Sequence, residues 1–191
     1  MQSPDLSKAV FLDKDGTLII DVPYNADPEK VRFEKGVFEG LAALQANGFK
    51  LVIISNQPGL ALGKFTQAAL DQLIVFFEEV FRENDLVLSG FYYCPHLPTA
   101  GEALCNCRKP KPGMLLQAAY DLHIDLKKSW MIGDILNDVE AGKRAGCQSI
   151  LINNGNETEW LPGTYREPDF TSTDFFGAAE FILEKANVRH V

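Results

Sequence analysis

Apolar residues fall along this chain in short continuous runs separated by stretches with a helical repeat. "KAVFLD" (8–13) is a brief apolar run ending in an acid and predicts a buried strand. "FKLVIISN" (49–56), β-branched in its middle and apolar on both faces, predicts a second, and "LVLSGFYYC" (86–94) a third. "SWMIGD" (129–134) and "QSILINN" (148–154) complete the set. Between them, helices are predicted over 36–48, 66–85, 112–124 and 137–146, with a closing amphipathic helix over 172–186. Strands alternating with helices, each strand apolar throughout, point to an α/β fold, a doubly wound parallel sheet with helices on both faces. Ligands of such sheets bind beyond the carboxyl ends of the strands. The residues there are Asp13, Ser55, Cys94 and Asp134.

Composition narrows the class. The 191 residues are 46% hydrophobic and 23% charged, which suits one domain over 1–191 with a sizeable core. No apolar run approaches the roughly 18 residues of a membrane span. The N-terminus lacks the basic-then-apolar layout of a secretory signal, so a cytoplasmic protein is expected. A net charge of −8 argues against broad binding to nucleic acid or anionic membrane, but leaves room for an anionic small molecule held by a few placed cations.

The rim holds paired acids. Asp13 and Asp15 stand two apart in "FLDKDGTL" (11–18), with Gly16 after them, and Asp134 and Asp138 stand four apart in "GDILND". Each pair alone could be a turn or a helix N-terminus. "CPHLPTAGEALCNC" sets Cys94, His96, Cys105 and Cys107 within fourteen positions. That is a Cys₃His set suited to structural Zn²⁺, though C-x-C replaces the usual C-x₂-C. A thioredoxin-like pair is disfavoured by the same spacing, while a Cys94–Cys105 disulfide is sterically open. Cys147 reads as a small core residue. His123 and His190 lack partners at ligand spacing, and the aromatic runs at 76–81 and 174–181 read as core-facing helix stripes.

Taken in order, "FLDKDGTL", "IISN", a lysine and "GDILND" resemble the haloacid dehalogenase-like phosphohydrolases over about residues 8–150. The resemblance implies phosphoryl transfer through an aspartyl phosphate. Asp13 would be the nucleophile, Asp15 the general acid and base, and Ser55 a ligand of the transferring group. Lys109 would be the catalytic lysine, with Lys111 the weaker match. Mg²⁺ would be held by Asp13, Asp134 and the carbonyl of Asp15, with Asp138 in support. "YYCPH…CNCRKPKPGM" is similar to the heptose-bisphosphate phosphatase group and its histidinol-phosphate relatives. This implies a zinc-pinned insertion at about 94–107 that shapes the loop bearing Arg108 and Lys109. Asp21, Tyr24, Asn56, Gln57 and Arg108 would then bind substrate. The chain departs from the group's pattern at Pro58, Leu62 and Ile135, where polar or basic residues are common, which weakens recognition of a second phosphate. The implied partner is a small-molecule phosphate ester, met by a monomer without a large cap domain. The leading substrate is the heptose bisphosphate, with histidinol phosphate or another phosphosugar as the alternative. A zinc-loop binding protein with a degenerate phosphatase fold is the reading from a different class.

Overall fold

The computed structural model describes residues 6–98 and 105–188. Strands β1 (Lys8–Leu12), β2 (Phe49–Asn56), β3 (Leu88–Cys94), β4 (Trp130–Gly133), β5 (Gln148–Ile152) and β6 (Phe170–Ser172) form one parallel sheet in the order β3-β2-β1-β4-β5-β6. Helices α1 (Val37–Ala46), α2 (Gln67–Glu83), α3 (Gly113–Leu122), α4 (Leu136–Ala145) and α5 (Phe175–Val188) connect and cover it. The predicted elements are all present, β2 with the expected bounds, the others with ends at or up to two residues inside them, except that α4 is displaced by one residue and α5 by two to three. His190 lies outside the described residues.

Strand periodicity explains the two faces. Val10 and Leu12 point into the larger core with Leu51 and Ile53, beneath α1, α2 and α5. Ala9 and Phe11 point the other way with Val52, Ile54 and Met131, beneath α3 and α4. The aromatic stripe of α2 is core, as expected: Phe77 and Phe81 are fully buried. Cys147 is buried in the smaller core; in the other aromatic run Phe175 is buried and Phe181 packs against the larger core as expected, while Phe176 is exposed. His123 caps α3 in the left-handed conformation, with φ 53°.

One strand was not foreseen. β6 has three residues and sits at the sheet edge, too short to carry a periodicity.

The sheet reverses direction of growth at β1. The chain builds outward from β1 through β2 to β3, then returns to the other side of β1 as β4. That switch opens a crevice at the carboxyl rim between β1 and β4. The backbone there is tied directly, Asp13 N–H donating to the carbonyl of Ile132 at 3.0 Å.

Phe77 tests the larger core. Its ring lies 5.7 Å from Phe33 and 5.8 Å from Phe91, centre to centre. Phe77→Ala should destabilise the protein by about 3–5 kcal/mol in denaturant titration. A loss below about 1 kcal/mol would mean that α2 is not packed as described.

Candidate active site at the β1–β4 switch

Four charged side chains meet where the crevice opens. Asp13 and Asp134 follow β1 and β4 directly, and Asp138 lies in the first turn of α4. Their carboxylates come within 4.8 Å of one another. Lys109 arrives from the loop before α3. Its ammonium pairs with Asp13, lies 2.6 Å from Asp138 and donates to the carbonyl of Ile54 at 2.9 Å. All four residues are buried. Burial alone would discharge the lysine, but Asp13 and Asp138 outweigh it and hold Lys109 protonated well above the usual range. Lys111, the alternative in the sequence, turns away and donates to the carbonyl of Cys105 at 2.9 Å.

One cation does not balance three buried acids. Burial, with the charges of Asp13 and Asp138, pushes Asp134 up to about 8. Burial likewise raises Asp138 to about 6, although Lys109 opposes it. Such a set of hard oxygen donors with surplus negative charge fits a divalent cation such as Mg²⁺. Two glycines make the close approach feasible. At Gly16, φ is 81° and a Cβ would stand 2.1 Å from Asp134 Oδ2, and at Gly133 a Cβ would stand 2.2 Å from that of Asp138.

The second acid of the first motif stands on the solvent side. Asp15 is half-buried and accepts from Lys14 Nζ at 2.5 Å and from Gln57 Nε2 at 3.2 Å. Burial raises its carboxyl above the usual range, with Lys14 pulling the other way. Gln57 also donates to Ser55 Oγ at 2.8 Å, so Ser55, Gln57 and Asp15 form one chain along the rim. Lys14 was not singled out in the sequence. Its position between two acids reads as a turn charge, yet its side chain is almost wholly buried.

The thiol and imidazole groups also converge. Cys94 Sγ lies 3.0 Å from Cys107 Sγ and 3.8 Å from Cys105 Sγ, and His96 Nδ1 lies 3.3 Å from the sulfurs of Cys94 and Cys107. A tetrahedral ion with bonds of about 2.0–2.3 Å draws its ligands to comparable separations, so the set fits Zn²⁺. No disulfide joins these cysteines. Residues 99–104 of this loop lie outside the described residues.

Two substrate-binding expectations take a different form. Asn56 accepts from Lys109 N–H at 3.0 Å and donates to the Lys109 carbonyl at 3.2 Å, so both ends of its amide grip the lysine's backbone. Arg108 donates to the carbonyl of His96 at 3.0 Å, tying it to the cysteine-rich loop. Asp21 and Tyr24 are exposed on the segment that follows the first motif, and Asp21 is near enough to raise Asp15 slightly. Leu62 is exposed in the turn after β2, and Ile135 leads into α4.

Residues 153–157 carry side chains bonded to the rim that sequence reasoning missed. Asn154 donates to the carbonyl of Gly16 at 2.7 Å, Asn156 to Asp134 Oδ2 at 2.8 Å, and Glu157 accepts from Leu136 N–H at 2.6 Å. Asparagines after a strand read as an ordinary turn, and no local signal distinguishes these. A cavity of about 570 Å³ lies at the opposite end of the sheet beside Lys8, Phe49 and Trp130 and shares none of these groups.

Comparison with known proteins agrees with this geometry. A family model described as HAD-hydrolase-like matches residues 106–178. The D-glycero-β-D-manno-heptose-1,7-bisphosphate 7-phosphatase of Escherichia coli K12 is 40% identical over 166 residues, 80% of this chain and 87% of that protein. The enzyme of the same name from Haemophilus ducreyi is 44% identical over 153 residues, 78% of this chain and 84% of its own length. The crystal structure of D,D-heptose 1,7-bisphosphate phosphatase from B. bronchiseptica, complexed with magnesium and phosphate, superposes with a TM-score of 0.81 at 30% identity, covering 93% of this chain and 99% of that one. With its sheet order, its rim acids and its buried lysine, the chain belongs to the haloacid dehalogenase-like phosphatases, close to the heptose-bisphosphate phosphatase group.

Proposed function

We propose that this chain is a Mg²⁺-dependent phosphatase that removes the 7-phosphate of D-glycero-D-manno-heptose 1,7-bisphosphate through an aspartyl phosphate. The observation that carries the reaction is the Lys109 ammonium buried between Asp13 and Asp138 at the switch crevice. The names of relatives at 40–44% identity support the substrate. The enzyme is read as a cytoplasmic monomer. Among the described residues, no helix is long and apolar enough to cross a membrane.

The chemistry follows from charge. A carboxylate nucleophile and a phosphate dianion repel, so attack requires positive charge on both. Lys109 supplies one fixed cation beside Asp13. Mg²⁺, held by Asp13, Asp134 and the carbonyl of Asp15, would supply the rest and neutralise the equatorial oxygens. An oxygen of Asp13 attacks phosphorus as the bond to the sugar oxygen breaks, and Asp15 gives that oxygen its proton. Asp15, now ionised, takes a proton from water as the water attacks phosphorus, releasing inorganic phosphate and restoring Asp13. Its raised pKa suits both halves, because the carboxyl still holds a proton where an ordinary aspartate would not. Ser55, at the end of the Gln57 chain, offers its hydroxyl to the transferring group.

The loop with three cysteines and a histidine would hold Zn²⁺ as a closed structural site. Its function in this reading is to fix Arg108 and Lys111, both bonded to its carbonyls, and through them the intervening Lys109.

Three measurements test the reading. Phosphate release from both anomers of heptose 1,7-bisphosphate, with histidinol phosphate as comparator, should favour the heptose ester. Asp13→Asn should lower that turnover by a factor on the order of 10³ or more while the circular dichroism spectrum is unchanged. Substantial residual turnover excludes Asp13 as the nucleophile. Stripping zinc with a strong chelator should lower both activity and thermal midpoint, with recovery on adding Zn²⁺ but not Mg²⁺ alone. A zinc-free protein of full activity and stability contradicts the structural role.

A further inference from the structure

We infer that Asn156 is a positioning residue for the cation site, holding the Asp134 carboxylate in the orientation that binds the metal; this rests on the proposed metal-dependent reading. Three observations carry it. First, Asn156 is an exposed residue of a surface turn, a setting in which an amide ordinarily faces water, yet its Nδ2 donates to Asp134 Oδ2 at 2.8 Å. Second, the path of that amide is kept clear, because a Cβ on Gly16 would meet Asn156 Nδ2 at 2.6 Å as well as Asp134 itself. Third, the turn is fastened to the rim on both sides of Asn156. Asn154 uses its Nδ2 on the carbonyl of Gly16 and its Oδ1 on the backbone N–H of Asn156, at 3.2 Å. Glu157 accepts from the N–H of Leu136, the first residue of the helix that bears Asp138.

The turn therefore touches the first-motif loop, the metal aspartate and the start of α4 together. Asp134 has a second donor in Thr17, whose hydroxyl reaches Oδ1 at 3.4 Å. The two donors sit on different oxygens and so limit rotation of the carboxylate. Each oxygen keeps a lone pair for a cation. Groups that orient metal ligands in this way commonly change metal affinity by about 10–100-fold when removed. The position is absent from the short motifs because it lies 22 residues beyond its partner, in another loop.

The test is Mg²⁺ binding, measured by calorimetry and by the Mg²⁺-dependent rise in thermal midpoint, on the zinc-loaded protein. Asn156→Ala should weaken Mg²⁺ by about 10–100-fold, while zinc content and the midpoint without Mg²⁺ stay at wild-type values. Asn156→Leu, which keeps the bulk but not the donor, should behave the same way. At saturating Mg²⁺ the turnover of both variants should return to within about threefold of wild type, a recovery that general damage to the fold does not give. Affinity within about twofold of wild type in either variant overturns the inference. Asp134→Ala separates it from the reading beneath it: if Mg²⁺ binds that variant as tightly as wild type, the metal centre itself is misassigned.

Discussion

The buried ion pair of Lys109 with Asp13 and Asp138 is the constraint around which this molecule is arranged. An ammonium removed from water is tolerable only with its charge compensated and its protons donated. Here Asp13 and the Ile54 carbonyl accept from it, and Asp138 adds a second counter-charge at 2.6 Å. Removing one partner from such a cluster typically costs about 3–5 kcal/mol, because the others are left uncompensated. The loop that delivers Lys109 therefore has to be held firmly. Asn56 grips the backbone of Lys109 from the end of β2, and the cysteine-rich loop engages Arg108 and Lys111 on either side. In the proposed reading, Zn²⁺ held by Cys94, His96, Cys105 and Cys107 would brace this loop beside Lys109.

The opposite wall depends on the same charge balance. Three acids face one lysine, and the excess appears as the raised Asp134 and Asp138. A cation would relieve that excess, and the donors from Thr17 and Asn156 keep Asp134 aimed while it does. Turns and helix starts usually serve stability alone. At this rim the same hydrogen bonds also fix the distances between reacting groups, which is where small displacements lower rates most.

Much of this was legible in the sequence for a definite reason. Continuous β-branched runs such as "LVIIS" mark buried parallel strands, and the acids that end them must then gather at one rim. Each acid pair alone reads as a turn or a helix start, so the roles expected of Asp13, Asp15 and Asp134 came from the resemblance of the ordered motifs, whereas the Cys₃His set shows its ligand types directly. What stayed hidden lacks a local signature. Lys14 sits between two acids and reads as a turn cation, although the fold buries it. Asn56 looked like a substrate ligand because its motif borders the site, while its amide serves the lysine 53 residues away. Asn154 and Asn156 act across 138 and 22 residues, separations to which periodicity is blind. β6 is an edge strand of three residues, formed because β5 offers it a partner rather than by its own preference.

The account comes to a point in the charge that Lys109 places beside Asp13. Rapid-quench mass spectrometry during a single turnover tests it most directly, applied to the wild-type enzyme and to Lys109→Met with heptose 1,7-bisphosphate and Mg²⁺. The account predicts a transient phosphoryl group on the peptide bearing Asp13 in the wild type and none in Lys109→Met. A phosphoryl group on another residue, or its formation on Asp13 at the wild-type rate without the lysine, would contradict it.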